Sequence, residues 1–275
     1  LYRSSLIFAV LDLPKGDEVL TMKFENINIL NDTMAILDRG YYEVNGKRVN
    51  LKLSKAEMKE ISVFLPRDVK SISDNKDFQH IHVMGGRIGV GCVNMDSYSL
   101  AIKRYSACSD MFSKKSKPIL VLNLANPVNP GGGVRRGSKA QEEDLCRKSS
   151  LLLSLESSAA SAYYKYNKSL NTYMGSDAVM VTPQVEIIKD ENGSLLDESV
   201  IVSVMTCAAP MLRNGMEGLT DQEYRDMVYG RITGMLKVAA HLGYEVLILG
   251  AFGCGAFLND AHVVSDLFYK ALKEF

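Results

Sequence analysis

Two adjacent carboxylates follow a triple glycine in the segment GGGVRRGSKAQEED, which runs from Gly131 to Asp144. Glycine lets a backbone approach a ligand closely, and the N–H groups of such a loop can bind a phosphate. Glu142 and Glu143 stand at the start of a predicted helix, where an acidic pair can also simply complement the helix dipole. Carboxylates beside a phosphate would repel it, so we expect one carboxyl group to keep a proton and act as an acid.

A second glycine-rich segment, GAFGCGAF from Gly250 to Phe257, has the same setting. Each segment directly follows a short apolar run, at 119–124 and 245–249, that is typical of a buried strand. Ligands of open α/β sheets bind at the carboxyl ends of the strands. The two loops are therefore expected to converge on one crevice and to hold a diphosphate between them.

The two most common nucleotide-binding motifs are absent from these loops. A phosphate-binding Walker A loop needs GxxxxGK[ST], whereas Gly132 to Lys139 reads GGVRRGSK, with the last two positions transposed. Neither loop contains the GxGxxG of dinucleotide-binding folds. The diphosphate site predicted here therefore belongs to neither of these two folds.

The elements that must carry the loops alternate between strands and helices from about residue 76. Strands are predicted at 118–126, 199–210 and 245–255, and helices at about 95–112, 138–165, 221–241 and 260–275. The segment 178–200 is predicted to be a hairpin-like insertion that turns at Asn192-Gly193. This alternation of strands and helices predicts a three-layer α/β domain.

Residues 1–75 have a different, more charged pattern and are predicted to form a small helical extension. An amphipathic helix over 32–40 ends at Gly40, a typical helix C-cap. Asn45-Gly46 predicts a tight hairpin turn, and Ser54 is suited to cap a second helix.

The composition narrows the classes of function. The 275 residues include 32 basic and 32 acidic side chains, so no general affinity for nucleic acid or for an anionic membrane is expected. The five cysteines contain no CxxC pair and the four histidines no HExxH, so neither a disulfide framework nor a metal site is predicted. With no long apolar stretch, the chain is predicted to be cytoplasmic.

The combination of GGG and QEE resembles the motif of the poly(ADP-ribose) glycohydrolases, whose catalytic domain is a macrodomain. NLANPVNPGGGVRRGSKAQEEDLCR looks like the bacterial-type branch, and GAFGCGAFLND looks like its second diphosphate loop. NDTMAILDRGYY is similar to the accessory helical region that precedes the macrodomain there. The resemblance covers roughly residues 25–275. It implies an accessory region at 1–75 and, at 76–275, a macrodomain with a central mixed sheet flanked by helices.

The resemblance also implies a reaction, the metal-independent hydrolysis of ribose–ribose O-glycosidic bonds in poly(ADP-ribose), which releases ADP-ribose. Glu143 resembles the catalytic glutamate, and Glu142 the partner that binds hydroxyls of the distal ribose. No metal or cofactor is implied. The expected partners are poly(ADP-ribose) or ADP-ribosylated protein. The implied ADP-ribose-binding residues are Asn126, Asn129, Gly131, Gly132, Gly133, Gln141, Gly253, Cys254, Gly255, Ala256 and Phe257.

The chemistry suits the residues. Cleaving a ribose glycoside needs an acid for the leaving oxygen and then a base for water, and one glutamate can serve as both. Two other readings stay open: a macrodomain that binds ADP-ribose without hydrolysing it, although such domains typically lack QEE, and a hydrolase of mono-ADP-ribose on protein or nucleic acid. At the residue level, we expect Arg135 and Arg136 to steer an anionic polymer, and Cys254 to be a packed residue rather than a nucleophile. An alternative for Phe257 is a core residue under the last helix.

Overall fold

The computed structural model describes residues 5–9, 18–74, 89–108 and 119–274. The nine strands of this part of the chain are β1 (Ser5–Ala9), β2 (Tyr41–Val44), β3 (Lys47–Asn50), β4 (Ser62–Phe64), β5 (Gly89–Cys92), β6 (Leu120–Leu124), β7 (Val179–Lys189), β8 (Leu195–Cys207) and β9 (Val246–Gly250). Its eight α-helices are α1 (Glu18–Arg39), α2 (Pro66–Asp74), α3 (Ser97–Cys108), α4 (Gln141–Lys148), α5 (Leu151–Leu155), α6 (Ser161–Ser169), α7 (Asp221–His241) and α8 (Ala261–Glu274).

Seven of the strands form one mixed sheet in the order β4-β7-β8-β6-β9-β1-β5. β6 lies parallel to both β8 and β9, while β7 is antiparallel to β8 and to β4. The carboxyl ends of β8, β6 and β9 therefore meet at the same edge of the sheet. The segments that follow these three strands form the rim of one crevice there.

Two hydrophobic clusters cover the two faces of the sheet. Successive residues of β6 alternate between them, so that Leu120 and Leu122 pack with α7 and α8, while Val121 packs with α4 and α5 on the other face. Apolar residues on both faces are what a covered inner strand requires. The predicted three-layer α/β fold with a mixed sheet between helices is confirmed.

Local turn signals predicted several boundaries well. The helix over 221–241 is observed, with a capping box between Thr220 and Glu223. The hairpin β2–β3 turns at Asn45-Gly46, β7 and β8 are joined across Asn192-Gly193, and α1 ends at Gly40 with a φ of +82°. Hydrogen bonds within a few residues fix these features, so sequence suffices to locate them.

Three predicted helices differ from the structure. The helix expected over 138–165 is broken into α4, α5 and α6, because Ser149 leaves the helix to form a β-bridge with Ile187. The helix expected at 32–40 begins as early as residue 18. In place of the helix expected from Ser54 there is a short 3-10 turn, Glu57–Lys59, whose Glu57 N–H donates to Ser54 Oγ. The end of the helix expected at 95–112 falls outside the described residues.

Segments on both sides of the predicted division at residue 75, and the hairpin predicted as an insertion at 178–200, contribute strands to the main sheet. β1 lies between β9 and β5 in the central sheet, and β4 pairs with β7. Two of the four strands before residue 75 therefore belong to the main sheet, while β2 and β3 form a separate hairpin. β7 and β8 are long inner strands of that sheet rather than an added hairpin. Pairing between distant segments decides both points.

Within the described ranges, no helix is both long and apolar enough to cross a bilayer.

Candidate active site

The first loop joins β6 to α4 and brings both glutamates to the crevice. Gln141, the first residue of α4, accepts a hydrogen bond from Leu124 N–H at 2.8 Å and donates one to the Leu122 carbonyl at 2.7 Å. Both ends of the Gln141 amide are thus used to clamp α4 onto the end of β6. The next two residues, Glu142 and Glu143, then project from the first turn of a fixed helix.

The carboxylate of Glu143 lies against the glycine backbone. Its Oε1 accepts a hydrogen bond from Gly133 N–H at 2.8 Å, and the side chain is 8% exposed. Gly132 has a φ of +56°, and a Cβ there would stand 2.6 Å from Glu143 Oε1 and 3.2 Å from Glu142 Oε2. The two acids therefore converge at Gly132, which must lack a side chain for both to fit.

Glu142 is more deeply buried, at 3% exposure, and is held from two sides. Its Oε2 accepts a hydrogen bond from Asn126 N–H at 2.7 Å, and its Oε1 accepts one from the Asn123 amide at 3.3 Å. Burial raises the pKa of Glu142 to about 8; these hydrogen bonds oppose the rise and the charge of Glu143 adds to it. The raised pKa favours the protonated form of Glu142. The prediction that one carboxyl group of the pair acts as an acid stays a prediction.

Asn123 is a site residue that the motif did not reveal. It is fully buried in β6 and donates from Nδ2 to Glu142 and also to Thr206 Oγ1, at 3.2 Å. Its Oδ1 has no hydrogen-bond partner in the described structure, although it is buried. Most buried polar atoms in folded proteins have a hydrogen-bond partner, so this unpaired oxygen marks Asn123 as a candidate functional residue. In the sequence, Asn123 could have been noticed as the one polar residue inside the otherwise apolar strand LVLNL.

The two candidate ribose-binding asparagines have different environments. Asn126 Oδ1 accepts hydrogen bonds from Val128 N–H and Asn129 N–H, so the side chain of Asn126 is fixed by the turn that it caps. This leaves its amide N–H groups for a ligand. The side chain of Asn129 is exposed, and the backbone carbonyl of Asn129 accepts a hydrogen bond from Gly132 N–H at 3.0 Å. The geometry favours Asn126 as the better-positioned residue.

The second loop, between β9 and α8, is braced through Asn259. The Asn259 amide donates to the carbonyls of Pro210 and Gly253 at 2.8 and 3.0 Å, and its Oδ1 accepts from the Tyr224 hydroxyl at 2.8 Å. Gly253 has a φ of +74°, and a Cβ there would overlap both Ala209 and Asn259. The loop therefore has one tight conformation at the crevice.

The segment after β8 contacts the second loop, which sequence reasoning did not anticipate. Leu212 N–H donates to the Phe257 carbonyl at 2.8 Å, and Arg213 Nη2 donates to the Ala256 carbonyl at 3.0 Å. Phe257 is half-buried and packs against the core beneath α7 and α8 while reaching the loop surface. The structure therefore gives it a packing role and leaves part of its ring open to a ligand.

Two further predictions concern side chains near the loops. Burial, together with the nearby Asp260, raises the pKa of the Cys254 thiol to about 11, which disfavours the thiolate that a nucleophile needs. Arg135 forms a two-point ion pair with Glu156 at 3.0 and 2.7 Å, so much of its charge is already compensated, whereas Arg136 is exposed.

Among the residues that the structure describes, no cluster of His, Cys, Asp and Glu is arranged to hold a metal ion.

Comparisons with known proteins agree with this arrangement. The family model for the catalytic domain of microbial-type poly(ADP-ribose) glycohydrolase (PARG) matches residues 31–190, more than half of the chain. A comparison with curated proteins finds no match.

Solved structures supply the remaining comparisons. The poly(ADP-ribose) glycohydrolase of Thermomonospora curvata bound to the inhibitor ADP-HPD superposes with a TM-score of 0.76 and 29% identity, covering 89% of this chain and 85% of that one. The enzyme of Deinococcus radiodurans in complex with ADP-ribose gives 0.67 and 30%, covering 82% and 86%. With the paired glutamates set against a glycine loop, these matches place the chain in the microbial-type PARG family, in which it represents the catalytic domain.

Proposed function

We propose that this protein hydrolyses the ribose–ribose O-glycosidic bonds of poly(ADP-ribose) and releases ADP-ribose, with Glu143 as acid and base. Membership in the PARG family and the similarity to glycohydrolases solved with ADP-ribose and ADP-HPD support the activity. The observation that carries the residue assignment is the hydrogen bond from Gly133 N–H to Glu143, which fixes a carboxylate beside the bare glycine backbone.

The two loops provide complementary halves of a diphosphate site. Glycine-rich backbones at 131–133 and 253–255 rim one crevice. In the first loop the N–H groups of Gly132 and Gly133 are bonded to the Asn129 carbonyl and to Glu143, so this loop contributes a bare backbone for close approach. In the second loop the N–H groups of Gly253 and Gly255 can bind phosphate oxygens. Phe257, partly open at the second loop, supplies an apolar surface for the adenosine end, and Asn126 offers its amide to a ribose hydroxyl. A diphosphate held in this way leaves the distal ribose at the first loop, next to the glutamates.

The chemical step then needs one proton to be moved twice. Protonated Glu143 gives its proton to the leaving glycosidic oxygen as the C–O bond breaks, and the carboxylate then takes a proton from the water that attacks the anomeric carbon. Glu142, whose protonated form is favoured by burial, adds no negative charge beside the diphosphate. The hydrogen bond that Glu142 accepts from Asn126 N–H joins it to the first loop. There we expect Glu142 to bind hydroxyls of the distal ribose.

The test is incubation of the purified protein with auto-poly(ADP-ribosyl)ated protein in the presence of a chelator. Wild type should release ADP-ribose, and Glu143→Gln should not. Glu60→Gln is the matched control, because Glu60 is an exposed glutamate outside the crevice. Binding of ADP-ribose without release would assign the protein to the non-hydrolytic class. Release only from mono-ADP-ribosylated protein or nucleic acid would assign it a different linkage. Separately, fractionation of the source cells and detection of the protein in each fraction tests the predicted cytoplasmic location.

A further inference from the structure

The helix that carries Glu143 also carries a buried arginine on the same face. Arg147 lies four residues after Glu143 in α4, and its side chain is 3% exposed. From this position Arg147 Nη2 donates a hydrogen bond to the Ser138 carbonyl. The Glu143 carboxylate and the Arg147 guanidinium therefore contact the same loop from successive turns of one helix.

The loop segment 133–138 is closed on itself between these two contacts. Ser138 N–H donates to the Gly133 carbonyl at 3.2 Å. A Cβ on Gly133 would stand 2.3 Å from Ser138 Oγ, so Ser138 packs directly against Gly133. Gly133 N–H in turn donates to Glu143 at 2.8 Å. Three successive hydrogen bonds thus connect the Arg147 guanidinium to the Glu143 carboxylate.

Both ends of the Arg147 side chain are fixed. Thr33 Oγ1 in α1 donates to the backbone carbonyl of Arg147 at 2.6 Å, which holds the last turn of α4 in place. At the other end, Nη1 donates to Asp144 Oδ1 at 3.0 Å while Nη2 bonds the loop. A planar guanidinium bonds two partners in one fixed geometry, whereas the single ammonium of lysine is a point charge on a flexible stem.

Stability alone gives little reason for the charges around Arg147. Lys148, which is 4% exposed, bonds the other oxygen of Asp144 at 2.7 Å, so two buried cations share one carboxylate. Arg147 Nε is buried without a hydrogen-bond partner in the described structure. Burying an incompletely paired cation costs free energy, and apolar replacements of buried ion pairs are often neutral or stabilising. The contact with the loop is what an apolar side chain at position 147 would not supply.

We propose that Arg147 is a positioning residue for the hydrolysis, because it holds the segment 133–138 against the face of α4 that carries Glu143. This inference rests on the proposed function. With the segment held, Gly133 N–H stays directed at the Glu143 carboxylate, and the acid keeps one orientation before the substrate arrives. Arg147 acts through the loop rather than on the substrate, so its loss should lower kcat and spare binding.

The test compares Arg147→Met with Lys189→Met on poly(ADP-ribose). Lys189 is the matched control, because it is 2% exposed and bonds one carboxylate, Asp32, and one backbone carbonyl, that of Ile29, instead of the loop. Arg147→Met should lower kcat about 10²-fold, as for a displacement of about 1 Å at a catalytic group, while KM and the affinity for ADP-ribose change less than about threefold. Lys189→Met should keep kcat within about twofold of wild type.

Two further variants protect the test against a folding defect. Arg147→Lys keeps the positive charge but lacks the planar guanidinium, so it should fold and still lose kcat. Guanidinium ion at millimolar concentration should restore part of the kcat of Arg147→Ala, whereas sodium chloride at the same concentration should not. Equal kcat losses in Arg147→Met and Lys189→Met, or full activity in Arg147→Lys, would show that the side chain serves stability alone.

Hydrogen exchange separates failure of the positioning role from failure of the proposed function. Amide exchange in the segment 133–138 should be faster in Arg147→Lys than in wild type or Lys189→Met, whether or not the protein hydrolyses the polymer. Unchanged exchange in this segment would overturn the positioning role even if activity falls. If wild type releases no ADP-ribose, the proposed function fails, and the exchange result alone decides whether Arg147 holds the loop.

Discussion

The carboxylate of Glu143 is held 2.8 Å from the backbone N–H of Gly133, so the acid and the diphosphate loop are parts of one rigid unit. The hydrogen bond and the burial of Glu143 fix the carboxyl group in position before any substrate is bound. Removing the acid should then affect the chemical step far more than it affects binding.

Glu143→Gln should abolish hydrolysis while changing the affinity for ADP-ribose by less than about tenfold, because the carboxyl group acts mainly in the transition state. Calorimetric titration with ADP-ribose and a turnover assay on the polymer measure the two effects separately. Parallel losses of affinity and turnover would show that Glu143 is a binding residue instead.

Gly132→Ala should displace both acids. The new Cβ would lie 2.6 Å from Glu143 Oε1, and residue 132 has a φ of +56°, which a side chain makes costly. We expect kcat to fall about 10²-fold, as for a displacement of about 1 Å at a catalytic group. The control is Gly230→Ala in α7, where a Cβ has open space, and its kcat should equal that of wild type. An active Gly132→Ala variant would argue against the rigid unit.

Glu142 makes stability depend on pH in a defined direction. Its pKa is raised from 4.5 to about 8 by burial, so the unfolded chain loses this proton at lower pH than the folded protein does. The contribution is fully present below about pH 4.5, is lost as the pH rises, and is gone above about pH 8, a change of up to about 5 kcal/mol.

Glu142→Gln should remove this dependence. Denaturant unfolding at intervals from pH 5 to pH 9 should show the wild type losing stability relative to the variant as the pH increases. Parallel curves for the two proteins would mean that Glu142 titrates normally in the folded state. Groups that do not interact with Glu142 cancel in this comparison.

Asn26 is expected to position the catalytic loop from α1. Asn26→Ala removes the hydrogen bond to the Gly137 carbonyl and should lower stability by about 1 kcal/mol. Because Gly137 is joined through Ser138 and Gly133 to Glu143, kcat should fall several-fold while the affinity for ADP-ribose is kept. Asn28→Ala, two residues along the same helix at an exposed position, is the control. Equal kcat values for the two variants would restrict Asn26 to a role in stability.

Cys254 should react slowly with alkylating agents despite its place in the second loop. With a pKa of about 11, it has about 100-fold less thiolate at neutral pH than a thiol with the ordinary value of 9.0. Mass spectrometry after timed treatment with iodoacetamide at pH 7.5 should show Cys92, which is exposed, modified well before Cys254. Rapid alkylation of Cys254 would reopen its interpretation as a nucleophile.

The sequence by itself determined the parts of this protein that depend on neighbouring residues. The glycines that bring the backbone to the ligand, the acid pair in the first turn of α4 and the turn at Asn45-Gly46 are local in the chain, so residue type and spacing predicted them. The helix over 221–241 carries its own capping box, and for the same reason its limits were predicted correctly.

Tertiary structure alone decided what depends on distant segments. β1 joins the sheet beside β9, more than 200 residues away, and no local pattern specifies that pairing. The raised pKa of Glu142 arises from burial against β6 and the loop, and the oxygen of Asn123 is unpaired only because the fold encloses it. α1 reaches Gly137 across 111 positions of sequence. Local sequence therefore specified the glycines and acids of the candidate site, while long-range packing set their positions, their burial and their hydrogen-bond partners.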